Sequence, residues 1–186
     1  MSVPAVTRRL GKIFKYNMKI LVIAETFPPH VGGPSTRAQN VVKGLQRLGH
    51  KIIVLTASPQ DSSVKILKRN KFKAFFCECE GKNVNIFRVW VPPLSYRGFG
   101  ERLLKYLSFI FSSVFPCPSI GEMDIIWAAN PNFFSMFTAV FYGLIHRVPI
   151  VRNVDDLWPE AAYDIGFAKS KVIRRIIDFA SKITYL

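Results

Sequence analysis

The hydrophobic pattern of the chain alternates between two periods. Five short apolar runs, rich in β-branched residues, have the length of parallel strands that are buried on both faces. These runs are residues 19–24, 51–56, 84–90, 124–129 and 148–154. The stretches with helical spacing are residues 35–48, 101–115, 131–146, 159–167 and 170–185. Alternating strands and helices predict βαβ units and a single α/β domain with a Rossmann-like, doubly wound parallel sheet.

The first helix has recognisable ends in the sequence. Ser35 or Thr36 can cap its start with a hydroxyl group, and Gly49 follows its last apolar position and can end it. Residues 57–82 are charged and show neither period, so we expect an irregular connection there.

A pair of glycines, Gly32 and Gly33, stands between the first strand and the first helix. Adjacent glycines let backbone N–H groups approach a phosphate, and the helix N-terminus adds a partial positive charge. A tight turn with positive φ explains the pair as well. Neither G-x-G-x-x-G nor a P-loop pattern occurs, which disfavours classical dinucleotide binding and P-loop NTPase activity. Since ligands of open α/β sheets bind at the carboxyl ends of the strands, we expect this loop, residues 129–132 and residues 153–160 to lie along one rim.

Composition bounds the class of protein. The chain has 186 residues, of which 49% are hydrophobic and 20% are charged, as in one folded domain and unlike a disordered chain. Its net charge of +14 favours anionic ligands such as nucleic acid, lipid head groups or phosphorylated molecules. The densest basic run, residues 65–73, is typical of a solvated loop or helix face. Nucleic acid is suggested by charge alone, without a binding signature, and we expect no nucleic-acid partner.

The cysteines argue against a metal site, and the N-terminus argues against a signal peptide. Cys77, Cys79 and Cys117 lack the C-x₂₋₄-C spacing of zinc sites, so we predict no metal site, and free thiols indicate a reducing compartment. Residues 1–17 are basic and lack the apolar core of a signal peptide. We interpret them as a flexible extension, with Met18 as an alternative start.

Two segments raise the question of membrane contact. Residues 125–145 are uncharged over 21 residues, enough to span a bilayer, but the Asn-Pro-Asn triplet at 130–132 is typical of a strand-to-helix turn. Residues 97–115 combine Arg102 and Lys105 with large apolar side chains. Such a basic amphipathic helix either lies in a membrane interface or packs on the sheet, and both interpretations stay open.

Three motifs, in this order, carry a resemblance. Residues 27–33 are FPPHVGG, followed by a helix that ends in LGH and a strand that ends in VLT. Residues 124–131 are DIIWAANP, and residues 148–160 are VPIVRNVDDLWPE. From residue 18 to about residue 186 the chain resembles the N-terminal domain of family 4 glycosyltransferases of the GT-B fold. The last motif resembles the DLWPE-containing branch that builds surface polysaccharides and glycoconjugates.

The resemblance implies a reaction and its partners. Relatives transfer a sugar from a nucleotide-sugar donor to an acceptor, with retention at the anomeric carbon and without a required metal or other cofactor. Their N-terminal domain mostly holds the acceptor, a glycan or a lipid-linked sugar, and a C-terminal domain binds the donor. This implies a retaining glycosyltransferase in the cytoplasm, peripheral on the inner face of the cell membrane where the acceptor is lipid-linked.

The resemblance also implies roles for single residues. Gly32 and Gly33 match glycines that face the donor's phosphates, and Asp156 matches an aspartate that lines the cleft. Asp155 stands where many relatives carry histidine and others arginine. Asp155 and Asp156 are the catalytic candidates, although Asp156 equally serves to cap the helix that starts near Pro159.

Further candidates come from the chemistry of the transfer. A cation must stabilise the leaving diphosphate, for which Arg37 and Arg152 are available. Arg37 is otherwise a solvent-facing residue of the first helical turn, and Arg152 otherwise pairs with Asp124 or Asp156.

The predicted rim supplies the remaining binding candidates. They are His30, Asn130 and Glu160, with His30 on the acceptor side. An ordinary loop histidine is the competing interpretation of His30.

Relatives carry a second Rossmann-like domain and an E-x₇-E element, and neither occurs in these 186 residues. We therefore expect residues 18–186 to be a glycosyltransferase N-terminal domain that is incomplete at its C-terminal end. It is then either a truncated product or one half of a split enzyme whose donor domain is another chain, and it is inactive alone. The alternative function is a non-enzymatic basic α/β module that docks to a membrane or a partner protein.

Overall fold

A computed structural model describes residues 17–59, 73–81, 83–94, 99–130 and 135–154, together with residues 174, 175, 178, 179 and 182. The strands are β1 (Lys19–Ile23), β2 (Lys51–Ala57), β3 (Phe75–Glu80), β4 (Val84–Val89), β5 (Ile125–Asn130) and β6 (Ile150–Val154). The helices are α1 (Gly33–Arg47), α2 (Phe99–Ser112), α3 (Cys117–Ile120) and α4 (Ser135–His146).

The strands form one sheet with the order β3-β4-β2-β1-β5-β6. Every pairing is parallel except that of β3 with β4. The chain runs outward from β1 through β2 to one edge and then returns to β5 on the other side of β1. The strand order therefore reverses between β1 and β5, which is where ligands bind in open α/β sheets. The predicted α/β fold class and the five predicted strands are confirmed.

Two apolar layers cover the two faces of the sheet. Alternate residues of each strand point to opposite faces. On one face Leu21 and Ile23 belong to a buried cluster with residues of α2, α3 and α4. On the other face Ile20 and Val22 pack with residues of α1. This arrangement is the doubly wound architecture that the hydrophobic runs predict.

The strand β3 was not predicted, because it lies in a segment that we expected to be irregular. It pairs antiparallel with β4 from Phe75 opposite Val89 to Glu80 opposite Val84. Phe76 is buried, whereas most other β3 side chains are exposed or partly exposed. An edge strand with one partly buried face needs no continuous apolar run, so its sequence signal is weak. Gly81, at φ 71°, follows the strand.

The predicted C-terminal end of α1 is confirmed, whereas the predicted N-terminal cap is wrong. Gly49 adopts φ 86°, its N–H donates to Gln46 O (3.0 Å), and the N–H of His50 donates to Leu45 O (3.2 Å), as in a Schellman motif. The predicted ending is confirmed. The predicted hydroxyl cap is wrong, since α1 begins at Gly33 and Ser35 lies buried within its first turn.

The uncharged segment 125–145 is not one helix. Residues 125–130 are β5, and α4 begins at Ser135, with residues 131–134 outside the described part of the chain. Across the described residues, no helix is both long and apolar enough to cross a membrane. The predicted helix 159–167 and the basic extension 1–16 lie outside the described residues, as do residues 65–72 of the basic run.

Candidate functional site

The loop between β1 and α1, residues 24–32, forms the centre of the rim at the switch point and is called the rim loop. Its backbone is tied to the end of β2: the N–H of Ala24 donates to Leu55 O and the N–H of Ala57 to Glu25 O, both at 3.0 Å. The Thr56 hydroxyl, fully buried, also donates to Glu25 O at 3.0 Å. These bonds hold the start of the loop rigidly against the sheet.

The two glycines of the loop have different structural reasons. Gly32 has φ 155° and ψ 164°, a region that is essentially restricted to glycine. Gly33 has no positive φ, and a Cβ atom built on it would meet nothing within 4 Å. The turn geometry therefore explains Gly32, whereas neither the backbone nor a described neighbour requires glycine at position 33.

The N-terminus of α1 is open and positively polarised. Its first turn contains no acidic residue, and no described side chain caps it. The Thr36 hydroxyl instead donates to Gly32 O at 3.1 Å. Arg37, exposed, lies one helical turn after Gly33 and on the same side of α1. Unpaired N–H groups, the helix dipole and a nearby guanidinium together favour an anion at this position.

His30 lies half-buried in the loop before this helix and lines a small cavity with Lys105 of α2. Its backbone N–H donates to Phe27 O at 3.1 Å. Burial lowers the pKa of His30 below its usual value, and the positive charge of Lys105 lowers it further. The imidazole is therefore neutral at pH 7.

Lys105 is the largest departure from the sequence-based expectation. The sequence left open whether its helix lies in a membrane interface or packs on the sheet, and Lys105 is only 2% exposed. Burial lowers its pKa to about 8, against the opposing effect of the Glu25 carboxylate, which is 4% exposed. The helical period contained the signal, because Lys105 lies one turn before Phe109, which is 1% exposed in the core.

Arg88 is a second buried cation that the sequence reasoning missed. It is 2% exposed on the α1 side of β4. Its Nε donates to Glu78 Oε2 at 2.9 Å and its Nη2 donates to the carbonyl oxygen of Pro28 at 2.5 Å. The signal was a charged residue within an apolar strand. Arg88 thus fixes the rim loop from the side opposite to Lys105.

The remaining predicted residues are only partly described. Asn130 is the last residue of β5, opposite Val154 on β6, and its side chain is not described. Arg152 lies half-buried on β6 opposite Ala128. Asp124 lies at the far, amino edge, where its Oδ2 accepts a hydrogen bond from Lys19 N at 2.8 Å. The predicted acidic residues Asp155, Asp156 and Glu160 lie outside the described residues.

Cys77 and Cys79 line one cavity with Pro28 and Pro29 of the loop after β1, whereas Cys117 lies in α3. Cys77 and Cys79 are exposed on β3, and Cys117 Sγ lies 3.8 Å from His146 Nε2. In the described part of the chain, no group of three or more His, Cys, Asp or Glu residues could hold a metal ion. A cavity of about 490 Å³ near His146 lies at the amino edge of the sheet, opposite to the rim.

The sheet order, the switch point and the glycine loop at the start of α1 define a Rossmann-like α/β domain with an anion-favouring rim. The chain belongs to the family described as the glycosyl transferase 4-like domain, whose family model matches residues 32–185. None of the curated proteins compared with the chain matches it.

One solved structure supports the fold. The catalytic domain of starch synthase IV from Arabidopsis thaliana, bound to ADP and acarbose, has a TM-score of 0.51 at 15% identity, covering 73% of this chain and 33% of that chain. This chain therefore spans about a third of that structure. The C-terminal domain of a hydrogenase from Pyrococcus furiosus has a TM-score of 0.46 at 14% identity, covering 74% of this chain and 91% of that chain.

Proposed function

We propose that this chain is the acceptor-side, N-terminal domain of a retaining GT-B glycosyltransferase that uses a nucleotide-sugar donor. The family membership supports the transfer of a sugar. The observation that carries the assignment of the rim is Gly33, which begins α1 at the switch point with open space above it. In the proposed complex the donor's diphosphate lies against Gly32, Gly33 and the N–H groups of the first turn, with Arg37 beside it.

The remaining roles complete the proposal. Asp155, Asp156 and Glu160 directly follow β6 in sequence, at the carboxyl edge, and are proposed to line the cleft with Asn130. The DLWPE sequence at 156–160 supports an acceptor from surface polysaccharide or glycoconjugate synthesis. Donor binding is proposed to be completed by a second domain, on this polypeptide or on another chain.

The diphosphate site predicts opposite effects on stability and on binding for Gly33→Asp. An acidic residue in the first turn stabilises a helix by about 0.3–1 kcal/mol through its dipole. The same carboxylate repels a diphosphate, so we expect affinity for UDP to fall at least about tenfold, or 1.4 kcal/mol. Chemical shifts of the backbone amides of Gly32, Ser35 and Thr36 during UDP titration measure the affinity, and urea unfolding measures the stability.

Gly44→Ala is the matched control, because Gly44 is an exposed glycine of the same helix with open space around it. It is expected to stabilise α1 by about 0.5–1 kcal/mol without changing UDP binding. Equal UDP affinity of the Gly33→Asp variant and the wild type would contradict the proposed phosphate site.

A donor site shared between two domains predicts weak binding by this chain alone. Isothermal titration of the 186-residue chain with nucleotide sugars is expected to give a Kd weaker than about 1 mM, since only part of the contacts would be present. Micromolar binding would contradict the assignment of the main donor contacts to another domain.

Exposed apolar side chains support peripheral contact with a membrane. On α2 and the following turn, Leu104, Phe111 and Phe115 are 53%, 69% and 60% exposed. The chain's charge of +14 favours an anionic bilayer surface. The buried Lys105 takes no part in this surface, and the side chain of Arg102 is not described.

The membrane proposal predicts that Phe111→Ser and Phe115→Ser together reduce sedimentation with anionic vesicles at least about fivefold, since each serine removes about 1.5–3 kcal/mol of burial in the interface. The control is Leu48→Ser, which removes an equally exposed apolar side chain at the end of α1. Unchanged sedimentation of the double variant would exclude this face as the membrane contact.

A further inference from the structure

A small cavity lies beneath the rim loop, between the carboxyl ends of β1 and β2 and helix α2. Its volume is about 10 Å³, close to the space that one water molecule needs and far too small for a sugar. Its lining residues are Glu25, Thr26, Phe27, His30, Ala57, Ser58, Pro59 and Lys105. The cavity is therefore an internal polar junction and not a ligand pocket.

Two opposite charges meet at this junction. Glu25 continues the alternation of Leu21 and Ile23, so it points to the side of the sheet that α2 covers. Lys105 points inward from α2, and both residues are more than nine-tenths buried. Burying either charge alone costs several kcal/mol, whereas the pair compensates in part. The two side chains thus join α2 to the start of the rim loop.

His30 shares this junction and responds to its charges. A protonated imidazole would place a second positive charge beside the Lys105 ammonium in a poorly solvated position. The Glu25 carboxylate, which lines the same cavity, stabilises Lys105 in its charged form. On the other side of the loop, the charge of Arg88 is balanced by Glu78, to which it is bonded. Burial and the charged Lys105 therefore both favour a neutral His30.

We propose that Lys105 is a positioning residue of the rim: its buried ammonium, held by Glu25, keeps His30 as a neutral imidazole that accepts a hydrogen bond from a hydroxyl group of the acceptor sugar. A neutral imidazole has one nitrogen that accepts and one that donates, which matches a hydroxyl group. The role of a neutral His30 in binding a hydroxyl group of the acceptor rests on the proposed function. The arrangement of charges around His30 is independent of that function.

The rim is then divided into two chemically different parts. The N-terminus of α1, with Arg37, favours the anionic diphosphate of the donor. The neighbouring His30 adds no positive charge, so the acceptor side does not compete for the phosphates.

Lys105→Met tests the coupling, because methionine keeps the length of the side chain and removes its charge. The midpoint of His30 is measured from its imidazole NMR signals between pH 4 and pH 9, with His50 and His146 as internal references. We expect the His30 midpoint to rise in this variant and the other two to stay unchanged. The matched control, Lys43→Met at an exposed position of α1, leaves all three unchanged. An unchanged His30 midpoint in a folded Lys105→Met protein overturns the proposal.

Glu25→Gln approaches the same junction from the other side. Removing the carboxylate removes the attraction that opposes the effect of burial on Lys105. We therefore expect the NMR titration of the Lys105 side chain to move below its wild-type midpoint of about 8. If the Lys105 midpoint does not move in Glu25→Gln, the proposal is overturned. This test decides the question even where the Lys105→Met protein fails to fold.

The UDP titration separates this inference from the proposed function. UDP-induced shifts at Gly32, Ser35 and Thr36 together with an unmoved His30 midpoint overturn the role of Lys105 and leave the transferase proposal standing. A moved His30 midpoint without any UDP-induced shift supports the coupling of Lys105 to His30 and counts against the transferase proposal.

Discussion

Arg88→Met is expected to lower the free energy of unfolding by about 3 kcal/mol, the largest effect of a single substitution near the rim. The guanidinium is 2% exposed and bonds both the Glu78 carboxylate and the Pro28 carbonyl oxygen. Methionine leaves both oxygens without this donor. Removing one partner of a buried pair costs about 3–5 kcal/mol. We expect the lower end, because the Glu78 side chain is 24% exposed and, among the described residues, Arg88 Nη1 makes no hydrogen bond.

Urea unfolding at pH 7 measures this loss, and Arg47→Met is the control. Arg47 is an exposed residue at the end of α1, and its replacement is expected to cost less than about 1 kcal/mol. Glu78→Gln keeps an oxygen that can accept from Arg88 and is expected to cost less than Arg88→Met. A loss below about 1 kcal/mol for Arg88→Met would show that the pair does not stabilise the fold.

The rim loop gives Arg88→Met a second, independent consequence. Arg88 is bonded to the carbonyl of Pro28, so its loss is expected to release the loop that leads to Gly32. Amide hydrogen exchange of residues 27–33 should then accelerate by more than the global loss of stability explains. If the amides of residues 27–33 exchange no faster than the global loss of stability explains, Arg88 stabilises the fold but does not hold the loop.

Raising the pH from 7.5 to 9.5 is expected to stabilise the wild type relative to Lys105→Met by about 2 kcal/mol. The folded protein releases the Lys105 proton at a pKa of about 8, whereas the unfolded chain keeps it up to the ordinary value of 10.5. Between these values the unfolded state binds more protons, so the free energy of unfolding rises with pH. Well below pH 8 both states keep the proton and this contribution is constant.

Only the difference between the two proteins isolates Lys105. The pKa values of Cys77 and Cys117 are raised by burial, and that of Tyr142 is raised as well. These groups make the folded state bind more protons at alkaline pH and lower its stability in both proteins. Urea unfolding at several pH values provides the comparison. A difference that stays constant with pH would mean that Lys105 titrates normally.

The strands of the sheet centre were predictable because burial on both faces demands continuous apolar runs. The helix end at Gly49 was predictable for a similarly local reason, since its φ of 86° strongly favours glycine. The edge strand β3 was not predictable, because its partly buried face leaves only Phe75 and Phe76 as an apolar signal. Whether such a short, charged segment forms a strand depends on the strand that it can pair with, which is β4 here.

The residues of the candidate site likewise differ in whether the sequence predicted them. The glycine loop was found from the sequence because Gly32 and Gly33 are adjacent and lie between a strand and a helix. The two buried cations were missed because each resembles a surface residue when it is considered alone. Lys105 is buried by the packing of α2 on the sheet, and Arg88 by the loop at Pro28 and the carboxylate of Glu78.

By itself, the sequence determined the order of the five parallel strands, the doubly wound architecture and the place of the glycine loop. These features follow from hydrophobic period and from residues with special backbone conformations, both of which are local properties of the chain. The tertiary structure alone decided which charges are buried and which of them face one another. Burial and electrostatic pairing join residues far apart in sequence, such as Glu25 and Lys105, and no local pattern records those distances.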